Sequence, residues 1–273
     1  MKGYLGLVSE YAKVHKKKNR LTIICIAISV MLVTAIFGMA DMSLKAQKEE
    51  AIRRYGNWHT IISNIPLETA DAISNRKDVS VSGFLGMASS TTYQGKELII
   101  QSSSEELAKQ MNLSVTEGHY PVSETEALLD RQGLEQFGLS IGDTIEIVYS
   151  DGQTRQYQIS GTYGDFSSLQ GTDAHGLQLA EGGLRFLPET EYQEYNYIQF
   201  KNGTNINRAN EEIKAEFSLT DEQISTNVML LGLMGQSKDT TMLEVYLTAA
   251  ILFVLVAMTG TFMIASSFNM SIL

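Results

Sequence analysis

A chain of 273 residues has room for one large or two modest domains. With 44% hydrophobic residues and a mean hydropathy near zero, its average composition is that of a water-soluble protein, so any membrane signal must come from clustering. Charge is segregated: residues 1–20 hold six Lys/Arg against Glu10 alone, net +5, leaving −15 for the rest of a chain whose formal total is −10. A bulk that acidic argues against nucleic acid, or an anionic lipid surface, as its partner. Cys25 is the only cysteine, so no intrachain disulfide exists and the main body must be held by an apolar core.

Residues 4–15 set Tyr4, Leu7, Val8, Tyr11 and Val14 at three- and four-residue steps, with Lys2, Ser9, Lys13 and Lys16 mostly elsewhere on the wheel. This predicts a short amphipathic helix on an inner membrane surface; the plainer reading is a frayed tail whose lysines only fix topology. Leu21–Ala40 carries no charge and follows the basic run Lys16-Lys17-Lys18-Asn19-Arg20. About 20 residues at roughly 1.5 Å each cross a hydrocarbon core of about 30 Å, which predicts a first transmembrane helix over 21–40. A cleaved signal peptide is the rival, because Gly38-Met39-Ala40 resembles a small-x-small cleavage site. The apolar run is longer than a signal core and the basic leader is long, so a retained anchor is the expectation. Basic flanks stay in the cytoplasm, which places a basic segment 1–20 inside and residues 41–240 outside.

Asp41–Tyr55 is rich in helix formers and free of Gly and Pro, so the first helix should continue as a stalk over 41–55, ended by Gly56 and Asn57. Trp58–Ser63 then reads as a strand, Leu67–Ser74 as a helix introduced by Asn64 and Pro66, and Val79–Thr92 as extended chain. Gln94-Gly95-Lys96 turns into a partner strand, Glu97–Ser102. Further on, Gly118-His119-Tyr120-Pro121 is a turn and Leu134–Leu139 a short helix. Thr144–Tyr149 and Thr154–Ser160 pair as a hairpin around Ser150-Asp151-Gly152-Gln153. Gly161–Gly183 reads as a mobile loop with little packing. Tyr195–Phe200 alternates as a strand, and Asn205–Phe217 sets Ile206, Ala209, Ile213 and Phe217 at helical steps.

The expected fold class is therefore an α+β extracytoplasmic domain flanked by two transmembrane α-helices. A strand–helix–strand base subdomain, 56–102 plus 190–236, would hold an inserted β-rich subdomain, 103–189. From Val245 to Leu273 the chain is again uncharged, which predicts a second membrane helix over 243–268 and a cytoplasmic end at 269–273. Small residues there (Ala249, Ala250, Ala257, Gly260, Thr261, Ala265) suit close helix–helix contact and favour a multi-helix bundle.

No reaction centre stands out, so catalytic, cofactor and metal residues are all expected to be absent. There is no Gly-Lys-Ser/Thr phosphate loop, no GxGxxG, no HExxH and no Gly-x-Ser-x-Gly. His15, His59, His119 and His175 are too scattered for metal-ligand spacing. Asp165, Asp173 and His175 could suggest a metal or acid–base cluster, but a solvated polar loop explains them more simply. Ser102-Ser103-Ser104 before Glu105-Glu106 reads as a helix N-cap. Asn112-Leu113-Ser114 and Asn202-Gly203-Thr204 are formal glycosylation triplets of the kind that arise by chance. Met229, Leu230, Leu231, Leu233 and Met234 form an apolar cluster, by default core or bilayer surface, more sharply a contact with another subunit or a greasy ligand.

Several stretches, in order, resemble the MacB/FtsX-like permeases of ABC transporters. Lys18-Asn19-Arg20-Leu21-Thr22 resembles the basic approach to their first span, with the usual Leu-Arg-Thr order altered. Gly118-His119-Tyr120-Pro121 with Glu126-Ala127-Leu128-Leu129 resembles their G-x-x-P…E-a-x-L stretch. Leu139-Ser140-Ile141-Gly142-Asp143-Thr144-Ile145 with Ile159-Ser160-Gly161 resembles the Gly-Asp hairpin of their outer domain, and Ser266-Ser267-Phe268-Asn269-Met270-Ser271 the exit of their second span.

The resemblance implies a permease subunit, not itself an enzyme. It would work with an ABC ATPase subunit, a second permease copy or paralogue and membrane lipid, and act on a lipid, peptide, antibiotic or lipoprotein. Family members continue into a cytoplasmic basic segment and at least two further membrane helices, so this sequence is expected to be an N-terminal portion. The alternative is a two-span sensor with an extracellular ligand-binding domain, whose topology is identical. It predicts a signalling helix or kinase after Leu273, where the permease predicts more spans. An anchored extracellular enzyme ranks last, for want of a nucleophile, metal set or acid pair.

Overall fold

The computed structural model describes residues 16–164, 166, 173–237, 247, 250, 251, 253–262 and 265. The chain forms two compact units, Lys48–Ser237 and a second drawn from Met1–Gln47 and Lys238–Leu273. The amphipathic helix expected at 4–15 and the chain from 238 to 246 lie outside the described residues.

Helix α1 (Lys16–Tyr55), which belongs to the second unit as far as Gln47, begins in the basic run and continues through the uncharged stretch without a break. Ile23, Ile24, Ile28, Val30, Met31 and Met39 on it are exposed, as are Leu247, Ile251, Phe253, Val254 and Phe262 near the other end of the chain. Among the described residues no helix is long and apolar enough to cross a membrane. The helix runs on through Asp41–Tyr55, as the absence of Gly and Pro there predicted.

Unit Lys48–Ser237 is mixed α+β. Its strands are β1 (Thr60–Ser63), β2 (Val79–Ala88), β3 (Thr91–Tyr93), β4 (Lys96–Ser102), β5 (Val115–Gly118), β6 (Glu126–Asp130), β7 (Thr144–Val148), β8 (Thr154–Tyr163), β9 (His175–Leu179), β10 (Tyr192–Phe200) and β11 (Ile224–Thr226). They form one sheet in the order β11-β1-β10-β2-β4-β9-β6-β8-β5, with β3 beside β4 and β7 beside β8. Around them lie α2 (Leu67–Ser74), α3 (Glu105–Gln110), α4 (Arg131–Phe137), α5 (Ile206–Phe217) and α6 (Val228–Leu233).

Period-two burial explains the layers. Ile62 of β1 with Ile198 and Phe200 of β10 face one way and meet Ile73 of α2, Ile206, Ala209 and Ile213 of α5, and Leu231 of α6. Burial of each Ile, Leu or Phe side chain among these stabilises the fold by about 1.5–3 kcal/mol. Helix α5 has the predicted face, and Asn205 caps it by accepting the Arg208 N–H. Met229, on α6, stays exposed while Leu230 and Leu231 are buried, so most of the expected apolar cluster is core. On the other sheet face Leu85 and Tyr197 pack under Leu107 of α3. A further core joins Leu98 and Ile100 of β4 to Ala127 and Leu129 of β6 and to Leu177 and Leu179 of β9.

The β7–β8 hairpin forms as predicted, Thr144 opposite Gln158 and Val148 opposite Thr154. The Gln94-Gly95 turn joins β3 to β4 with both residues at positive φ (47° and 77°), the geometry of a tight hairpin turn. Three expectations need correction. The strand read as Trp58–Ser63 begins only at Thr60, and the extended run Val79–Thr92 breaks into β2 and β3. Gly161–Gly183 is not an unpacked loop where it is described: β8 runs on to Tyr163, Phe166 is buried, and His175–Leu179 is the fully buried strand β9. Strand β9 runs parallel to β4 and antiparallel to β6, so both its edges and both its faces are covered. No polar alternation can mark such a strand.

Candidate functional site

The C-terminus of α1 is held by a set of specific hydrogen bonds from residues that follow it. A helix end leaves its last four carbonyls without intrahelical partners. Gly56, at φ 86°, turns its N–H back to the Ile52 carbonyl at 2.8 Å. The Trp58 indole Nε1–H donates to the Tyr55 carbonyl at 2.6 Å. From beyond α3, Asn112 donates its amide to the Ile52 and Arg53 carbonyls at 2.7 and 3.1 Å. Asn112 itself sits at φ 62°, a left-handed conformation that Asn tolerates better than most residues. The Asn57 N–H donates to the Gln110 carbonyl at 2.7 Å, and their side-chain amides meet at 3.2 Å. The helix end is thus clamped to the corner after α3.

Asn112→Ala should lower stability of this unit by about 1–2 kcal/mol and speed amide exchange at Gly56 and Asn57. Asn112→Gly, which keeps the left-handed backbone, separates the amide's role from the conformational one. If the Gly variant retains full protection, the amide is not the clamp.

Beside this clamp lies a groove of about 270 Å³ bordered by Arg53, Arg54, Trp58, Leu85, Met87 and Tyr197. A larger cavity of about 690 Å³, between Ser63–Ile65 and Glu189–Tyr195, is mainly polar. Three of its side chains are already engaged, Glu194 with Arg185 at 3.2 Å and Tyr195 with Gln193 at 2.6 Å.

His59 follows the clamp and is buried, its Nδ1 accepting the Phe200 N–H at 3.0 Å. Burial, helped by the nearby Lys48 charge, lowers its pKa to about 4. The unfolded chain, with an ordinary value near 6.5, then binds the proton first. Stability present above about pH 6.5 should therefore fall as pH drops towards 4, by up to about 3 kcal/mol. Urea melts of the wild type and His59→Asn across that window check this; equal slopes would show that His59 is not the group responsible.

Of the other residues singled out in the sequence, Ser104 and His175 have structural roles. Ser104 caps α3 by accepting the Leu107 N–H. His175 is buried against Asp130 and Gln136, Asp173 is exposed elsewhere, and Asp165 lies outside the described residues. Exposed His119 sits 3.4 Å from Glu126. No three metal-ligating side chains converge among the described residues. Asn112, read only as a glycosylation triplet, is instead occupied by the clamp. Its signal in the sequence was an Asn placed just past a helix end.

The family-like stretches also resolve into geometry. Gly118 and Gly161 are register partners, and the Glu126 carboxylate accepts the Val122 N–H at 2.9 Å, closing the Gly118–Pro121 turn. Asp143 accepts the Ser140 N–H at 2.8 Å, and Gly142 at φ 99° donates to the Ile159 carbonyl.

Residues 21–216 match the MacB-like periplasmic core domain, and the chain belongs to that family. No curated protein matches it. Among solved structures, the periplasmic region of MacB from Actinobacillus actinomycetemcomitans is 13% identical, with a TM-score of 0.48 over 69% of this chain and 97% of that one. A domain of a putative permease from Porphyromonas gingivalis is 13% identical, TM-score 0.45, over 63% and 88%. The extracellular domain of the noncanonic ABC-type transporter YknZ from Gram-positive bacteria is 10% identical, TM-score 0.45, over 62% and 98%.

Proposed function

We propose that the chain is a permease subunit of a MacB/FtsX-like ABC transporter. A separate ATPase subunit hydrolyses ATP, and the outer domain moves in response, exporting or extracting a lipid, peptide, antibiotic or lipoprotein. The observation that carries this reading is the family match, which begins in the uncharged stretch at Leu21 and runs through the α+β unit to residue 216. On this reading Leu21–Ala40 and the uncharged stretch from Val245 cross the cell membrane. The N-terminus is cytoplasmic and residues 41–240 lie outside. Membrane lipid then covers the apolar side chains that both segments leave exposed. A second permease copy or paralogue completes the assembly, and the chain itself catalyses no reaction.

The clamp at the end of α1 suits transmission, because a helix whose last carbonyls are fastened to a domain cannot shift without straining it. Two measurements test the proposal. Full-length protein purified from its native membrane should bring an ATP-binding subunit with it, and one that never does so is no ABC permease. A Val122→Cys variant, whose site is 81% exposed, should react with a membrane-impermeant maleimide on intact cells. Labelling only after lysis would reverse the topology.

A further inference from the structure

The groove beside the α1 clamp has three properties that the clamp does not use. Its floor is apolar and aromatic: Trp58 and Tyr197 meet edge to face with ring centres 5.3 Å apart, and Leu85, Met87 and Met111 extend the surface. Its rim is cationic. Arg53 and Arg54 both border it, and both pair with one carboxylate, Glu50, at 2.7 and 3.5 Å. Two guanidiniums on one carboxylate leave a net positive charge at the mouth.

The third property is Gln101. It borders the groove from β4 and is only 7% exposed, yet its carboxamide has no hydrogen-bond partner among the described residues. Register aims it there: Gln101 lies opposite Met87, and Leu85, two residues away on the same strand, lies opposite Tyr195. All four side chains therefore share one sheet face. What remains exposed of Gln101 opens on the groove, so its carboxamide can meet a polar group of a molecule lodged there.

We propose that this groove binds a single-chain anionic amphiphile. The chain lies on Trp58, Leu85, Met87 and Tyr197, the anionic head takes Arg53 and Arg54, and Gln101 donates to a carbonyl at the head of the chain. At roughly 30 Å³ for each small group, the volume admits about nine of them, a chain of medium length. The acidity of the surrounding unit disfavours an anionic surface. It does not oppose one molecule whose chain is buried and whose head meets a local cationic rim. This assignment rests on the transporter reading for its physiological sense, as a class of cargo, but the binding is measured without the ATPase.

Trp58 is the only tryptophan in the chain and lies in the groove, so it reports occupancy directly. The full chain in lipid nanodiscs is titrated with ω-bromononanoate below its micelle concentration, since bromine quenches indole fluorescence on contact. Saturable quenching is expected. The double variant Arg53→Ala/Arg54→Ala should raise the half-saturation concentration about tenfold, the loss of charge-assisted contacts. Gln101→Leu should weaken binding while leaving the melting temperature unchanged or raised. A bromoalkyl trimethylammonium of equal length should quench far less. Absence of saturable quenching, equal quenching by the cationic chain, or indifference to the arginine variants would each overturn the assignment. Quenching intact in a protein that never retains an ATPase would sink the transporter reading and leave the groove standing; the reverse pattern would sink the groove alone.

Discussion

Gly118→Ala should destabilise the α+β unit by about 3–5 kcal/mol, a large share of the roughly 5–15 kcal/mol that holds an ordinary domain folded. Gly118 sits at φ 81°, where a side chain is already strained. A Cβ there would lie 2.3 Å from the Ser160 carbonyl oxygen and 2.6 Å from the Gly161 Cα. Both are backbone atoms of the partner strand, so neither can rotate away. Relief requires β5 to lift from β8. That would break the hydrogen bond from His119 N–H to the Ser160 carbonyl and the one from the Ser160 hydroxyl to the His119 carbonyl, both 3.0 Å. Gly95→Ala is the control. Its φ of 77° is equally left-handed, but nothing stands within 4 Å of the added Cβ, so it should cost only about 1 kcal/mol. Paired urea melts decide the matter: if the two variants lose equal stability, conformation alone explains Gly118 and the close approach does not.

Asp130→Ala is expected to cost a comparable amount, about 3–5 kcal/mol, for a different reason. The Asp130 side chain is fully buried at the end of β6. One carboxylate oxygen accepts the Gly133 N–H at 3.0 Å and caps α4, and the other accepts the Gly176 N–H at 2.9 Å on β9. His175 Nδ1 lies 3.3 Å away, and its Nε2 is 3.1 Å from the Gln136 side chain. Alanine would strand two backbone donors and an imidazole in a buried site. Asp130→Asn keeps one acceptor oxygen but turns an NH2 towards another donor, so its loss should be intermediate. A melting temperature equal to wild type in the Ala variant would show that these donors find other partners.

This cluster also shows what could be read in the sequence. Elements whose signal is local were legible: α2 after Asn64 and Pro66, α5 with its capped apolar face, and the β7–β8 hairpin around Asp151-Gly152. The turns that resemble the MacB/FtsX-like stretches were legible too, because Glu126 acts on Val122 and Asp143 on Ser140, a few residues away, although Gly118 and Gly142 meet partners on β8 far along the chain. Strand β9 was not. His175-Gly176-Leu177-Gln178-Leu179 looks like polar loop chemistry because His175 and Gln178 are buried by partners far off in the chain. Asp130 stands 45 residues before His175, and Tyr120 stands 58 before Gln178. Gly176 suggested flexibility, whereas a Cβ there would meet the Tyr163 hydroxyl at 2.1 Å and the Phe166 ring at 2.4 Å. The clamp and groove were hidden likewise. Asn57, Gln101 and Asn112 are ordinary polar residues until the fold brings them together.

The attachment of α1 sets how tension entering along that helix would spread. One route follows the peptide bond chain through Gly56 and Asn57 into β1, near the sheet's edge. The other leaves sideways through the Ile52 and Arg53 carbonyls to Asn112, and through Asn57 to Gln110, reaching the corner between α3 and β5. A tug on a single rod therefore arrives at two separated places, and unequal yielding there becomes torque rather than simple displacement. Stiffening either route alone would change the direction of the response more than its size.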